Sequence, residues 1–129
     1  MDQRVQRLKK LLALQEQLKA LHELRHAGHV AEAVAARREA VEIVDRFNAD
    51  QTMPTLFPEV YHSRIAQALS REEASLTQAA GEAAKVAGAT ARTNMVERTY
   101  REARAADERQ RADSDRLEMI GQRLRPAGK

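Results

Sequence analysis

Cysteine and tryptophan are absent from this sequence, and its aromatic side chains are limited to two phenylalanines and two tyrosines. Without cysteine, the chain can form neither a disulfide framework nor a thiolate metal site. With 32% of its residues charged and so few bulky side chains, it cannot enclose a broad globular core. The composition therefore predicts long helices that bury only a narrow strip between them.

Long apolar runs are also missing from the chain. Charged residues such as Asp2, Arg4 and Arg7 interrupt the N-terminal region, and no stretch approaches the roughly 20 apolar residues of a membrane-spanning helix. We therefore expect neither a signal peptide nor a transmembrane helix. The sequence predicts a cytoplasmic protein, and nothing in it points to an oxidising compartment.

Neither sign of charge dominates, because 22 basic residues are interleaved with 19 acidic ones for a net charge of +3. Such mixing is typical of solvated helix faces and not of a surface that follows a phosphate backbone. Arginines crowd the segment from Arg92 to Arg111, but acidic residues separate them and Tyr100 is the one aromatic among them. The sequence thus does not favour a nucleic-acid partner.

Proline occurs at three positions only, Pro54, Pro58 and Pro126. Because a proline inside a helix removes a backbone donor and clashes with the preceding turn, the proline-free spans are the candidates for helices. The segment between them is rich in turn-forming residues. We predict an all-α fold in which residues 1–129 form one antiparallel coiled-coil hairpin, and the second helix is longer and overhangs the first. The predicted bounds are about 3–48 for the first helix, 49–58 for the turn and 59–125 for the second helix.

The leucine spacing predicts which face of each helix meets the other. Leu11, Leu14, Leu18 and Leu21 alternate spacings of three and four, which is typical of a coiled-coil seam. A valine stripe continues at Val30, Val34, Val41 and Val44 in another heptad phase, so we predict a register slip between Leu24 and Val30. The predicted seam of the second helix comprises Ile65, Leu69, Glu72, Leu76, Ala79, Ala83, Val86 and Thr90.

A turn centred near residue 53 would place residue i opposite about residue 107 minus i. Ala27 and Gly28 would then face Ala79 to Gly81, two small-residue stretches that permit either a close approach of the helix axes or a flexible joint. We favour a thin waist at this level. By the same rule, the polar stretch Arg104–Arg116 would begin opposite the N-terminus of the first helix, so most of it would lie beyond that helix.

Residues 22–26, HELRH, match the H-E-x-x-H pattern in which two histidines bind zinc and the glutamate is a general base. His22, His26 and His29 share one helix face, which we place beside the leucine seam. A protease also needs a third ligand and a cleft, and in a continuous helix Glu42 would lie about 24 Å from His26. We predict no catalytic residues, no cofactor and no metal site; His22, His26 and His29 are candidates for adventitious metal binding only.

Two segments carry a family resemblance: PEVYHSRIAQALSREEASL (58–76) and NMVERTYREARAADERQRADSDRLE (94–118). In these segments and in its expected architecture, the chain resembles the FliJ-type proteins of the flagellar type III export apparatus, which are related to the YscO-type stalk proteins of injectisomes. The resemblance implies a non-catalytic two-helix coiled coil. It implies three partners: a hexameric export ATPase, in whose ring the protein is the central stalk, the cytoplasmic domain of the export-gate membrane protein, and export chaperones.

The resemblance also implies residues that contact these partners. Tyr61, Ile65 and Ala68 match the family pattern that contacts the export gate, with ordinary packing between the helices as the alternative interpretation. The charged residues implied for the ATPase ring are Arg4, Arg7, Arg101, Arg104, Arg109 and Arg111. A generic coiled-coil adaptor or scaffold is the second hypothesis, and a zinc hydrolase that uses the HELRH motif is the third.

Overall fold

The computed structural model describes residues 2–49 and 56–125. Helix α1 comprises Gln3–Ala49, 47 residues, and helix α2 comprises Pro58–Leu124, 67 residues. No strand occurs in these two ranges. The predicted all-α class with a longer second helix is therefore confirmed, and the structure is consistent with a two-helix hairpin. Most of the predicted turn, residues 50–55, lies outside the described residues.

The helix ends follow from local sequence. The Asp2 side chain accepts a hydrogen bond from the backbone N–H of Arg4 at 3.4 Å, so Asp2 caps the start of α1. Pro58 opens α2, where its missing N–H costs no helical hydrogen bond, and Glu59 follows it in the first turn. Arg46 and Arg123 occupy the last turns of α1 and α2, where a positive charge complements the helix dipole.

Burial along α1 follows a single uninterrupted heptad pattern. Apart from Glu39, every side chain of α1 that is not exposed lies at alternating spacings of three and four residues. These seam positions are Val5, Leu8, Leu12, Gln15, Lys19, His22, His26, His29, Ala33, Ala36, Ala40, Ile43 and Phe47. The predicted register slip is therefore wrong, because the seam of α1 keeps one phase from Val5 to Phe47.

The predicted leucine seam is also wrong, since Leu11, Leu14, Leu18 and Leu21 are 37–50% exposed. The sequence prediction assigned the bulkiest aliphatic residues to the contact between the helices. The contact is instead made largely by small and polar side chains, and many of the large aliphatic side chains flank it. This difference changes which surfaces are free to bind other molecules.

Helix α2 has a matching seam. It runs through Tyr61, Ile65, Ala68, Glu72, Ser75, Ala79, Glu82, Val86, Ala89, Thr93, Val96, Tyr100, Ala103 and Asp107, again at spacings of three and four. Half of the predicted α2 seam is confirmed, at Ile65, Glu72, Ala79 and Val86. The other half is wrong: Leu69, Leu76 and Ala83 are exposed and Thr90 is half-buried outside the heptad.

The chain divides into two compact units. The central unit is Leu18–Gly88, and the terminal unit combines Met1–Gln17 with Ala89–Lys129.

In the central unit α1 and α2 run antiparallel. The Phe47 and Tyr61 rings pack edge to face at a centroid distance of 5.9 Å, Arg37 pairs with Glu72, and His22 pairs with Glu82. The paired residue numbers add up to 108, 109 and 104, close to the value of about 107 expected for a turn near residue 53. The antiparallel register predicted for this unit is thus correct to within about one helical turn.

The glycines of the central unit do not mediate close helix packing. A Cβ atom built on Gly28 or on Gly81 would meet nothing within 4 Å. The close-approach interpretation of these two glycines is therefore wrong. Alanine provides the tight packing instead, at the buried positions Ala33, Ala36, Ala40, Ala68 and Ala79.

In the terminal unit the most buried large side chain is Val5, at 1% exposure. Asp2 lines a surface groove together with Asp107, Gln110, Arg111, Ser114 and Asp115. The start of α1 thus lies one to two turns further along α2 than residues 102–106, the level predicted from the sequence. Helix α2 continues to Leu124, and every described residue after Asp107 is exposed.

Candidate functional site

His22, His26 and His29 lie in the seam of the central unit and not beside it, which corrects the sequence prediction. His22 Nδ1 lies 2.9 Å from Glu82 Oε2, and both side chains are largely buried. His29 Nδ1 lies 3.7 Å from Glu32 Oε2, beyond hydrogen-bond distance, and is buried without a hydrogen-bond partner. The three histidines are thus polar components of a coiled-coil contact.

Glu82 is the acidic residue of α2 that pairs with His22. Burial raises the pKa of the Glu82 carboxyl, but hydrogen bonds from His22 and Lys85 and the nearby positive charge of Lys85 lower it. The net effect is a pKa below the ordinary value of 4.5. Glu82 is therefore a carboxylate at neutral pH and accepts a hydrogen bond from His22.

The glutamate of the HELRH segment does not lie in the seam with the histidines. Glu23, which would be the general base, is exposed and lies 3.9 Å from Lys19 on the same helix. No group of three or more His, Cys, Asp or Glu side chains within residues 2–49 and 56–125 is placed to hold a metal ion.

Within the described residues, neither α1 nor α2 contains an apolar stretch of the length that a membrane-spanning helix requires.

The residues implied for contact with the export gate lie in the interhelical seam. The Tyr61 ring packs edge-on against Phe47, Ile65 is half-buried, and Ala68 is 0% exposed. This placement corresponds to the alternative interpretation, packing between the helices. A partner could reach Tyr61 and Ile65 from the side of the seam, whereas Ala68 can influence such a contact only through the spacing of α1 and α2.

The arginines implied for the ATPase ring are all exposed and all belong to the terminal unit. Three of them pair with acidic residues one helical turn away: Arg101 with Glu97, Arg104 with Glu108 at 3.2 Å, and Arg111 with Asp107 at 3.5 Å. The first two pairs are exposed, and exposed pairs of this type contribute about 0.3–0.5 kcal/mol each. In the third pair the Asp107 side chain is only 16% exposed.

The sequence prediction missed an exposed aliphatic surface of the central unit. Six large side chains there are 37–52% exposed on one flank of the seam. They are Val30, Val34, Val41, Val44, Leu69 and Leu76, and we call them the aliphatic face. The sequence signal was visible as a valine stripe, but it was assigned to the contact between the helices.

Two open grooves cross the aliphatic face. The first, of about 220 Å³, is lined by Val30, Ala33, Val34, Arg37, Glu72 and Leu76. The second, of about 310 Å³, is lined by Arg37, Ala40, Val41, Val44, Ile65 and Leu69. Arg37 borders both grooves, so the two are adjacent. One buried seam alanine lines each groove, Ala33 in the first and Ala40 in the second.

The opposite flank of the central unit has a different character. It carries a groove of about 420 Å³ lined by Glu32, Ala35, Ala36, Glu39, Arg71, Ala74 and Ser75. The ion pair between Arg71 and Glu39 crosses this groove. The exposed Leu18 and Leu21 precede it on the same flank of α1, because they share heptad positions with Glu32 and Ala35. Large aliphatic side chains thus change flank after Leu24 while the seam continues, which explains the apparent phase change in the sequence.

Compared with known proteins, the chain matches no family model, no curated protein and no solved structure at a significant level. The geometry of the two units is therefore the basis for any functional proposal, together with the resemblance of the two sequence segments.

Proposed function

We propose that this chain is a non-catalytic coiled-coil protein whose function is to bind other proteins. The observation that carries the proposal is the distribution of its aliphatic side chains. The seam of the central unit is closed largely by alanine and polar residues, while six large aliphatic side chains remain 37–52% exposed on one flank. A contiguous exposed apolar surface of this kind is characteristic of interaction sites.

We propose the flagellar type III export apparatus as the system in which it acts. The support is the resemblance of segments 58–76 and 94–118 to FliJ-type proteins, together with two long helices of which the second is longer. In this proposal the chain is cytoplasmic and peripheral to the inner-membrane apparatus. It forms the central stalk of the hexameric export ATPase and contacts the cytoplasmic domain of the export gate or export chaperones.

The terminal unit supplies a plausible physical basis for the stalk role. Its exposed arginines are Arg4, Arg7, Arg101, Arg104, Arg109 and Arg111, and the four in α2 are interspersed with acidic residues. Each local ion pair is weak, so an arginine can exchange its own carboxylate for one on a ring subunit at small cost. Many weak, exchangeable contacts suit a stalk that must be tolerated at several rotational positions within a ring.

The test is whether the purified chain co-purifies with a hexameric export ATPase and stimulates its ATP hydrolysis. We expect Arg101→Ala combined with Arg104→Ala to reduce that stimulation several-fold with little loss of helicity, because both side chains are exposed. A matched control is Arg38→Ala combined with Arg46→Ala, two exposed arginines of the central unit. An ATPase that is unaffected by the unmodified chain would reject the stalk assignment.

The second candidate is a coiled-coil adaptor with no link to an export ATPase, and the aliphatic face favours it directly. An adaptor needs this face but does not need the arginines of the terminal unit. If variants of the aliphatic face abolish partner binding while the double arginine variant has no effect in any export assay, the adaptor is the better assignment.

A further inference from the structure

The two grooves of the aliphatic face repeat at the spacing of one heptad. Val34 and Ala33 border the first groove, and Val41 and Ala40, seven residues later, border the second. On α2 the corresponding residues are Leu76 and Leu69, again seven apart. Seven residues of α-helix span about 10.5 Å. Any helix that lies along this face with apolar residues at i and i+7 therefore fits both grooves.

The chain itself presents side chains with this spacing. Val34 and Val41 project from the aliphatic face at i and i+7, as do Leu69 and Leu76. The same face thus offers both the grooves and the side chains that fill them. Self-complementarity of one patch is the requirement for a closed twofold dimer, the most common symmetric assembly.

The charges within the face are also self-complementary. Arg37, which borders both grooves, is 62% exposed and lies 3.7 Å from Glu72, whose side chain is 23% exposed. One positive and one negative group therefore share the centre of the face. A second copy turned so that its α2 lies over α1 of the first would bring Arg37 next to Glu72 of the second copy. The alternative, α1 over α1, would place two Arg37 side chains together.

We propose that the aliphatic face of the central unit binds the same face of a second copy of this chain, with α1 of each copy packed on α2 of the other. The groove floors already belong to the interhelical seam through Ala33, Ala40 and Ile65, so the new contact is continuous with an existing interface. The product is a local four-helix bundle. It accounts for large aliphatic side chains that α1 and α2 leave exposed.

The oligomeric state of the full chain tests the proposal first. Sedimentation equilibrium from low to high micromolar concentration should show a monomer–dimer equilibrium. Val34→Glu combined with Val41→Glu should raise the dimer dissociation constant at least about tenfold, while circular dichroism shows unchanged helicity. The matched control, Leu14→Glu combined with Leu21→Glu, alters exposed leucines outside the face and should leave the dissociation constant unchanged. A monomer at every concentration, or a dimer disrupted only by the leucine variant, would overturn the proposal.

Charge exchange between copies gives a second test. Arg37→Glu and Glu72→Arg should each weaken the homodimer, because like charges then meet at its centre. A mixture of these two variants should form a heterodimer at least about tenfold tighter than either homodimer. This comparison separates a contact between copies from the ion pair within one chain. Equal affinities of the two homodimers and the heterodimer would contradict the arrangement.

The absence of native cysteine allows a direct check of the geometry. A Val41→Cys chain mixed with a Leu69→Cys chain should form a disulfide-linked heterodimer on mild oxidation. The control pair, Ala35→Cys with Ala74→Cys, uses residues on the opposite flank and should remain largely uncrosslinked. If Val41→Cys links to itself faster than to Leu69→Cys, α1 packs on α1 and the proposed arrangement is wrong.

Discussion

Replacement of Gly28 and Gly81 by alanine should stabilise this protein. Both glycines lie inside long helices, and both are exposed. A methyl group added at either position would meet no atom within 4 Å, apart from those of its own helical turn. The substitution therefore introduces no steric conflict, and it removes the entropic penalty of glycine in a helix interior.

The magnitude follows from helix propensity, because packing contributes nothing at these sites. Alanine exceeds glycine by about 0.8–1 kcal/mol in a helix interior. Each single variant should therefore gain about 1 kcal/mol in free energy of unfolding, and the double variant about 2 kcal/mol if the sites act independently. For a chain of this size, each substitution should raise the melting temperature by about 3–6 °C.

Chemical denaturation followed by circular dichroism at 222 nm measures the free energy of unfolding, and a thermal melt measures the melting temperature. Ala79→Gly is a useful comparison, since it removes a buried seam methyl group and should destabilise the chain by more than the propensity difference alone. Destabilisation by Gly28→Ala or Gly81→Ala would refute the reasoning, because it would mean that the helices need these glycines for close contact.

Three further perturbations probe other parts of the structure. Ala68→Leu adds bulk at a completely buried seam position and should cost about 1–3 kcal/mol in denaturation experiments; no loss would indicate that Ala68 faces solvent. Because the pKa of Glu82 is lowered in the folded chain, its contribution to stability is present above the ordinary pKa of 4.5 and lost as pH falls through the lowered pKa. Denaturation between pH 6 and pH 3 should therefore show a shallower acid loss of stability for Glu82→Gln than for the unmodified chain, and parallel curves would contradict this assignment. Phe47→Ala removes the edge-on ring contact with Tyr61 and should cost about 3 kcal/mol or less, whereas the exposed Leu24→Ala should change stability by less than about 0.5 kcal/mol.

The fold class and the helix bounds could be predicted from the sequence because their causes are local. Proline positions set the limits of the two helices, and a charged, alanine-rich composition excludes a broad core. The observed bounds are Gln3–Ala49 and Pro58–Leu124. The start of α1 agrees with the prediction, and each of the other three helix ends differs from it by one residue. The antiparallel register of the central unit followed from the turn position in the same way.

The seam could not be predicted because the usual rule ranks helix faces by hydrophobicity. In α1 the leucines from Leu11 to Leu21 and the valines from Val30 to Val44 have the strongest apolar periodicity, yet all of them except Leu12 flank the contact. Gln15, Lys19, His22, His26 and His29 occupy five consecutive seam positions instead. Polar residues at such positions fix the register of a coiled coil at a cost in stability. Hydrophobic ranking does not detect this arrangement, because it depends on partners such as Glu82 on the other helix.

The same error concealed the aliphatic face. Once the valine stripe was assigned to the seam, no exposed aliphatic surface remained to be recognised. The role of Tyr61, Ile65 and Ala68 as gate contacts was inferred from a family resemblance. Their burial, in contrast, depends on which face of α2 meets α1. A prediction of binding residues on a two-helix pair is therefore only as reliable as its choice of seam.

The central claim is that the contact between α1 and α2 is made largely by small and polar residues, while Leu11, Leu14, Leu18 and Leu21 face outward. The most direct test is the rate of thiol labelling in single-cysteine variants, since the chain has no cysteine of its own. Leu14→Cys and Leu21→Cys should react at rates close to those of an unfolded control, whereas Ala36→Cys and Ala40→Cys should be strongly protected. Protection of the two leucine positions, with rapid labelling at the two alanine positions, would contradict the account.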